Sequence, residues 1–274
     1  MSTFIDANIS SCAITRSGRR YTGAHIPSTT HMLDIPAELS ALIRAVHHND
    51  TDVVSVETIV DDLSISVSPL VLKILADHSA RTGSAIHYTL CDKHGSILFE
   101  TDDACAALSG YTPTPMTLTS LAMREYSEAK ISASATHDDL ETTLRNAALA
   151  GITRNFPTYD RASGYGAAVR TTDGNIYFGG QYSAFDHRLG VHAEMAVLTH
   201  ALLDGAMGFT HIALASTKFK DSPASPCGCC RQFMAEVARA TDSTPQIHLF
   251  ASETAATAVY TLEELIPVQW TNKK

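Results

Sequence analysis

Between residues 136 and 274 the spacing of apolar positions changes several times, and each change marks an element. "THDDLETTLRNAALAG" (136–151) places its apolar residues at helical intervals, sets Thr136 and Asp139 at capping-box spacing and meets Gly151 as a stop. "GYGAAVR" and "NIYFGGQ" are short apolar runs of strand type, and the "TTDG" between them puts Asp173-Gly174 where a tight hairpin turns. Helical spacing returns in "AEMAVLTHALLDG" (193–205), which ends at Gly205, and again in "GCCRQFMAEVARA" (228–240). Strands are predicted at "FTHIALAS" (209–216), "QIHLFAS" (246–252) and "AVYT", followed by a short helix capped by Thr261 and Glu264. Alternating strands and helices predict an α/β layered domain. Only about five residues separate the last two strands, whereas a parallel crossover needs a dozen or more, so these two should pair antiparallel.

The same pattern occurs earlier in the chain. "GRRYTGAHIPSTTHMLDIPAELSALIRA" (18–45) aligns without a gap on "GNIYFGGQYSAFDHRLGVHAEMAVLTHA" (174–201), with nine of 28 positions identical, Gly18/Gly174, Tyr21/Tyr177, Ala37/Ala193 and Glu38/Glu194 among them. One residue of slippage lays "SPLVLKILADHSA" (68–80) on "SPCGCCRQFMAEVA", and "MTLTSLAM" (116–123) resembles "YTLEELIP". Three blocks in one order predict two tandem domains of similar fold, residues 1–126 and 135–274. The linker, 127–134, lies within the small, polar "SEAKISASATHD" (127–138). The copies differ where chemistry would sit. His192 faces Pro36, Cys227 faces Leu70 and Cys230 faces Lys73, so only the second copy can hold a site.

In that copy His192 and Glu194 form "HAE" at one helix start, and Cys227 and Cys230 form "PCGCC" at another. Two cysteines three apart on a first helical turn share a face and can reach one ion, and helix N-termini favour thiolates. Cys229 would point elsewhere and is excluded. His192, Cys227 and Cys230 make three good ligands, which leaves a coordination position for water, the arrangement of catalytic zinc. A CxxC alone also suits a redox pair, and an unseen fourth ligand would make the site structural. Of the other histidines, His187 and His200 lie near the motif without a ligand's spacing. Cys12, Cys91 and Cys105 read as core residues, and Glu38 as structural.

Composition narrows the partners. The chain has 274 residues, 45% hydrophobic and 18% charged, with a net charge of −9 and no basic run, which argues against nucleic acid. No apolar stretch approaches the roughly 20 residues of a spanning helix, so no membrane partner is expected. "MSTFIDANIS" lacks the basic start and apolar stretch of a secretory signal, so a cytoplasmic, reducing setting is expected, where clustered cysteines serve metals or catalysis.

H-x-E followed by P-C-x-x-C is the signature of zinc-dependent deaminases. The fuller "SPCGCCRQ", with "GAA", "HAE" and "LEELIP", resembles the cytidine deaminase family over about residues 135–270. The resemblance implies two tandem cytidine-deaminase-like α/β/α layered domains, each a mixed sheet with an antiparallel last strand, the first degenerate and non-catalytic. Members acting on free nucleosides keep that antiparallel strand, whereas tRNA-type adenosine deaminases insert a helix. In the two-domain bacterial type the active copy comes first; here it comes second. The resemblance further implies a Zn²⁺ cofactor, Glu194 as the general acid–base group, and main-chain groups at Ala193 and Ser225 that orient the ring. Gln181 and Ser183 stand where ribose-using members place Asn and Glu, and Ser163 stands at the base-stacking Phe, for which Phe156 or Tyr159 is a substitute. Trp270 is a candidate lid. Cytidine or deoxycytidine is the implied substrate, with another aminopyrimidine nucleoside of the blasticidin-S type as the rival. A non-catalytic zinc-stabilised module is the alternative from another class. A homodimer, a pseudo-tetramer of domains, is expected by the same analogy.

Overall fold

A computed structural model of the chain describes residues 6–30, 32–61, 66–108, 117–133, 139–160 and 162–271. The hairpin β1 (Asp6–Thr15) and β2 (Arg20–His25) begins the first sheet, and α1 (Ala37–His47) follows. Then come β3 (Val53–Val60), α2 (Pro69–Thr82), β4 (His87–Asp92) and β5 (Ile97–Thr101). The sheet order is β2-β1-β3-β4-β5, with β3 and β4 parallel and the other pairs antiparallel. A short helix α3 (Thr119–Ala122) leads to the edge strand β6 (Lys130–Ile131).

The second half repeats the order. Its elements are α4 (Leu140–Ile152), β7 (Tyr165–Thr171), β8 (Ile176–Gly180), α5 (Ala193–Leu203), β9 (Phe209–Ser216), α6 (Gly228–Ala240), β10 (Gln246–Phe250), β11 (Thr257–Tyr260) and α7 (Leu262–Leu265). The sheet runs β11-β10-β9-β7-β8-β6. Without β6, order and strand directions are those of the first sheet, and β10 and β11 pair antiparallel as their short connection requires. Thr261 and Glu264 form the expected capping box.

Three layers build the second half. Leu144, Ala147 and Ala148 of α4 bury one sheet face with Ala168, Phe178 and Phe250, while α5 and α6 cover the other. The residues of α4 approach the sheet through glycine. A Cβ on Gly166 would lie 2.2 Å from the Ala148 carbonyl oxygen, and one on Gly151 would lie 2.5 Å from that of Gly179. Gly151 therefore sits inside α4 as a contact point and does not end it; the helix runs to Ile152 and Thr153 caps it. Asp139 is itself the N-cap, its side chain accepting from the Thr142 amide at 3.2 Å, and Thr136 lies outside the described residues.

In the first half, α1 and α2 cover one face, and among the described residues no helix lies on the other. Strand alternation puts Cys12 and Cys91 on that open face, so both are half-buried and not in the core as the sequence suggested; Cys105 is half-buried too.

The halves share one apolar core, which takes in Leu42 and Ile74 from the first and Phe156, Met195 and Val197 from the second. Polar groups cross the same seam. Arg44 pairs with Asp204, and Lys73 Nζ meets Asp186 at 2.8 Å. The buried Glu236 carboxylate of α6 accepts from Ser28 Oγ at 2.8 Å, the Thr29 amide at 3.0 Å and Thr29 Oγ1 at 2.6 Å. The joining segment also belongs to the structure. Arg154 donates to the main chain of Ser127 and Glu128, and Lys130–Ile131 pair with β8.

Candidate metal centre and its cleft

Strand directions gather the site. β7 is antiparallel to both β8 and β9, so the C-terminal ends of β8 and β9 lie at the sheet edge where β7 begins. Tyr165 opens β7 opposite Ser216, and Gly166 faces Gly180, the last residue of β8. The chain leaves β8 through Gln181 into α5 and leaves β9 through Ser225 into α6, so both helix N-termini arrive at one edge. His192 and Cys227 are the N-cap residues, both extended, and neither side chain caps its own helix. Their side chains turn toward each other instead.

His192 Nδ1 lies 3.4 Å from Cys227 Sγ and 3.3 Å from Cys230 Sγ, and the two sulfurs are 3.5 Å apart. These three are the group among the described residues whose ligand atoms converge as a metal site would need. Tetrahedral zinc with sulfur at ~2.3 Å and nitrogen at ~2.0 Å holds such ligands about 3.5–3.8 Å apart, so the donor set fits the ion with little movement. Cys229, one turn position away, is exposed and outside the group.

Without metal the triad shares protons. Cys227 is pushed down to about 3 by the hydrogen bond from Cys230 and then by that from His192. Cys230 moves well above the ordinary thiol value because its proton serves Cys227 and because it is buried. His192 is raised, first through its bond to Cys227. Glu194, 4% exposed, has its carboxyl raised by burial. His192, Cys227 and Glu194 line a cleft of about 230 Å³ together with Tyr165, Gln181 and Ser225.

No family model matches the chain. Curated proteins do match part of it. The cytidine deaminase of Aliivibrio fischeri is 39% identical over 77 residues, 27% of this chain and 23% of that protein. That of Vibrio parahaemolyticus is 38% identical over 84 residues, 30% of this chain and 26% of its own length. Over these stretches the chain is similar to cytidine deaminases. The aligned stretch spans about a quarter of these curated relatives' length. Among solved structures, a cytidine deaminase from Burkholderia pseudomallei is 27% identical with a TM-score of 0.42, covering 47% of this chain and 98% of its own.

Set against the cytidine deaminase pattern, the sequence-predicted substrate contacts divide. Gln181 and Ser225 line the cleft, and Ala193 is the buried first residue of α5 beside it. Ser225 Oγ accepts from Arg231 at 3.0 Å. Ser183 adjoins Gln181, whose Nε2 donates to Ser183 Oγ at 3.0 Å. The three aromatics are not in the lining. Phe156 is fully buried in the seam, stacked on His78 at 4.6 Å and Tyr182 at 4.8 Å with the Arg81 guanidinium 4.1 Å from its ring centre, so no face is left for a base. Tyr159 is exposed on the following loop. Trp270 is exposed and tied by its main chain to Gln232, whose Oε1 accepts its amide at 3.1 Å and whose Nε2 donates to its carbonyl at 3.0 Å.

Two residues of the cleft and its support escaped the sequence reading. Tyr165 supplies the aromatic wall; its position immediately before "GAA", at a strand start, was the available signal. Arg81, wholly buried in α2 of the first half, donates to the carbonyls of Ser183 at 2.6 Å and Pro157 at 3.0 Å and pairs with Asp77 at 3.0 Å. Asp77 in turn accepts from the Phe185 amide at 3.2 Å, so the first half holds the 181–185 loop by its backbone. No local pattern marks Arg81. His200 is buried against His47 and takes no part in the cleft, and His187 is exposed.

Proposed function

We propose that the chain is a zinc-dependent hydrolytic deaminase of a pyrimidine nucleoside, converting cytidine or deoxycytidine with water to uridine or deoxyuridine and ammonia. One observation carries the reading: three metal-type ligands converge on one edge of a cleft whose lining carboxylate among the described residues, Glu194, is buried beside them. His192, Cys227 and Cys230 would hold Zn²⁺, and two thiolates and a neutral imidazole balance its charge. Zinc so bound supplies Lewis acidity that brings the pKa of a water toward about 7.

The rest is work for the protein's own groups. Glu194 takes a proton from the attacking water and passes it to the ring nitrogen, so the carbon bearing the amine becomes tetrahedral. It then returns a proton to the departing amine, a general acid–base role. Main-chain groups at Ala193 and Ser225 orient the ring, Tyr165 packs against it, and Gln181 meets a sugar hydroxyl. Ser183 brings no carboxylate to that hydroxyl, which favours an altered aminopyrimidine nucleoside as the rival substrate. Residues 1–126 serve as a non-catalytic copy, joined through 127–134 to a catalytic domain of 135–274. A homodimer in the cytoplasm accompanies this reading. No helix among the described residues is long and apolar enough to cross a membrane.

The test offers zinc-loaded protein a panel of amino-pyrimidine and amino-purine nucleosides, bases and nucleotides while ammonia is recorded. Release from cytidine supports the default, and release from a modified nucleoside alone supports the rival. Silence across the panel by protein that carries one zinc per chain would leave the zinc-stabilised module. A light-scattering mass near the single-chain 29.4 kDa would remove the homodimer.

A further inference from the structure

The first half has lost its metal ligands and kept its cavity. A void of about 210 Å³ lies over α1, close in size to the 230 Å³ of the cleft in the second half. Each described residue lining that cleft has its repeat partner lining this void. Ile9 answers Tyr165, His25 answers Gln181 and Pro36 answers His192. Glu38 answers Glu194, Ser68 answers Ser225 and Leu70 answers Cys227. Pro36 and Leu70 cannot bind a metal, and Lys73, at the place of Cys230, is committed to Asp186.

Glu38 survives with its burial. Only 4% exposed, it accepts from Thr58 Oγ1 at 2.8 Å and from the Tyr88 hydroxyl at 3.0 Å, both on Oε1. Among the described residues no donor engages Oε2. A carboxylate buried among Val60, Val71 and Leu90 is costly unless donors satisfy it. A void left by decay has no such requirement, and the apolar replacements at Pro36 and Leu70 had room to close it.

We propose that this cavity is a second, non-hydrolytic binding site for a planar nitrogen heterocycle that presents an N–H donor to Glu38, with a cytosine-type base as the class. The void lies below the roughly 300–1,000 Å³ of sites for drug-sized ligands, which suits a single ring between apolar walls. The cavity and Glu38 stand by themselves; the choice of a cytosine-type base rests on the deaminase reading of the second half.

The experiment is equilibrium dialysis of cytidine against the full, zinc-loaded chain carrying Glu194→Ala, so that the probe is not consumed. Two molecules per chain are expected, falling to one when Leu70→Trp is added to fill the cavity. Leu70 is 45% exposed, so the larger ring can be accommodated, and matching melting curves check this. Glu38→Gln keeps the acceptor for Thr58 and Tyr88 and should weaken one site at least tenfold; in the otherwise wild-type chain, ammonia release should stay within twofold. Equal stoichiometry with and without Leu70→Trp, together with no effect of Glu38→Gln, overturns the proposal. The two readings fail separately. Binding that Leu70→Trp removes, in a chain that releases no ammonia, sinks only the deaminase. Ammonia release with one site indifferent to Leu70→Trp sinks only the second site.

Discussion

Lowering the pH from 7 to 5 should destabilise this chain steeply, because three buried histidines in the seam fold neutral. His47 Nε2 bonds the Gly180 carbonyl at 3.0 Å and its Nδ1 lies 3.3 Å from His200 Nδ1; His78 bonds the Thr51 carbonyl at 2.8 Å and Tyr182 at 3.0 Å. All are at most 1% exposed. Burial is the main cause that lowers His47 and His78 to about 3 and His200 well below its ordinary value. Their charged neighbours reinforce it, since His47 and His200 face His48 and Arg154, and Arg44 also faces His200. His78 faces Arg81, with Asp52 acting the other way. The sign follows. The unfolded chain takes up protons below about 6.5 while the folded chain does not, so stability is complete above 6.5 and is lost as pH falls toward about 3. At pH 5 His47 and His78 each cost about 2 kcal/mol (1.5 pH units at ~1.4 kcal/mol each), together about 4 kcal/mol, and His200 acts in the same sense. Asp77, Glu194 and metal-free His192, whose values are raised in the fold, act in the opposite sense and offset part of this. A net loss of at least ~3 kcal/mol is a large share of a typical 5–15 kcal/mol. Urea unfolding of chelator-treated protein, followed by far-UV circular dichroism at half-unit steps, reads it directly. His47→Gln keeps a donor for Gly180 and should remove about one of three protons from the slope. Stability flat within ~1 kcal/mol from pH 7 to 5 would refute the reasoning.

Other outcomes follow from the same contacts. Glu194→Gln should lower kcat by about 10²–10⁴-fold with zinc content unchanged, read by steady-state ammonia release and elemental analysis. Cys230→Ser or His192→Ala should instead lose the metal itself, to be seen as zinc well below one per chain. Arg81→Met strands Asp77 and frees the Ser183 and Pro157 carbonyls, so a loss of about 3–5 kcal/mol is expected in denaturant melts; a loss under 1 kcal/mol would contradict the clamp. Gly166→Ala forces a Cβ to 2.2 Å from a backbone oxygen of α4 and should cost more than ~2 kcal/mol, whereas Gly95→Ala, with nothing nearby, should cost only its left-handed turn.

The features legible along the chain were local or repeated. Helix starts at Ala193 and Gly228 place His192 and Cys227 at N-caps, and i, i+3 spacing puts Cys230 beside Cys227, so the convergence of these three ligand-type side chains could be read from short stretches. The internal repeat located the half that carries them, and a short connection dictated the antiparallel last strand. Which aromatic meets the cleft was settled by packing, because a ring's surroundings depend on chain segments far away in sequence. Phe156 is claimed by His78 and Arg81 from the other half, and Tyr165 is left at the sheet edge. Arg81 could not be read from its helix at all, since its partners, the carbonyls of Pro157 and Ser183, lie 76 and 102 residues away. Caps and ligand spacings are short-range geometry; seams and cavities exist only once distant surfaces have closed on each other.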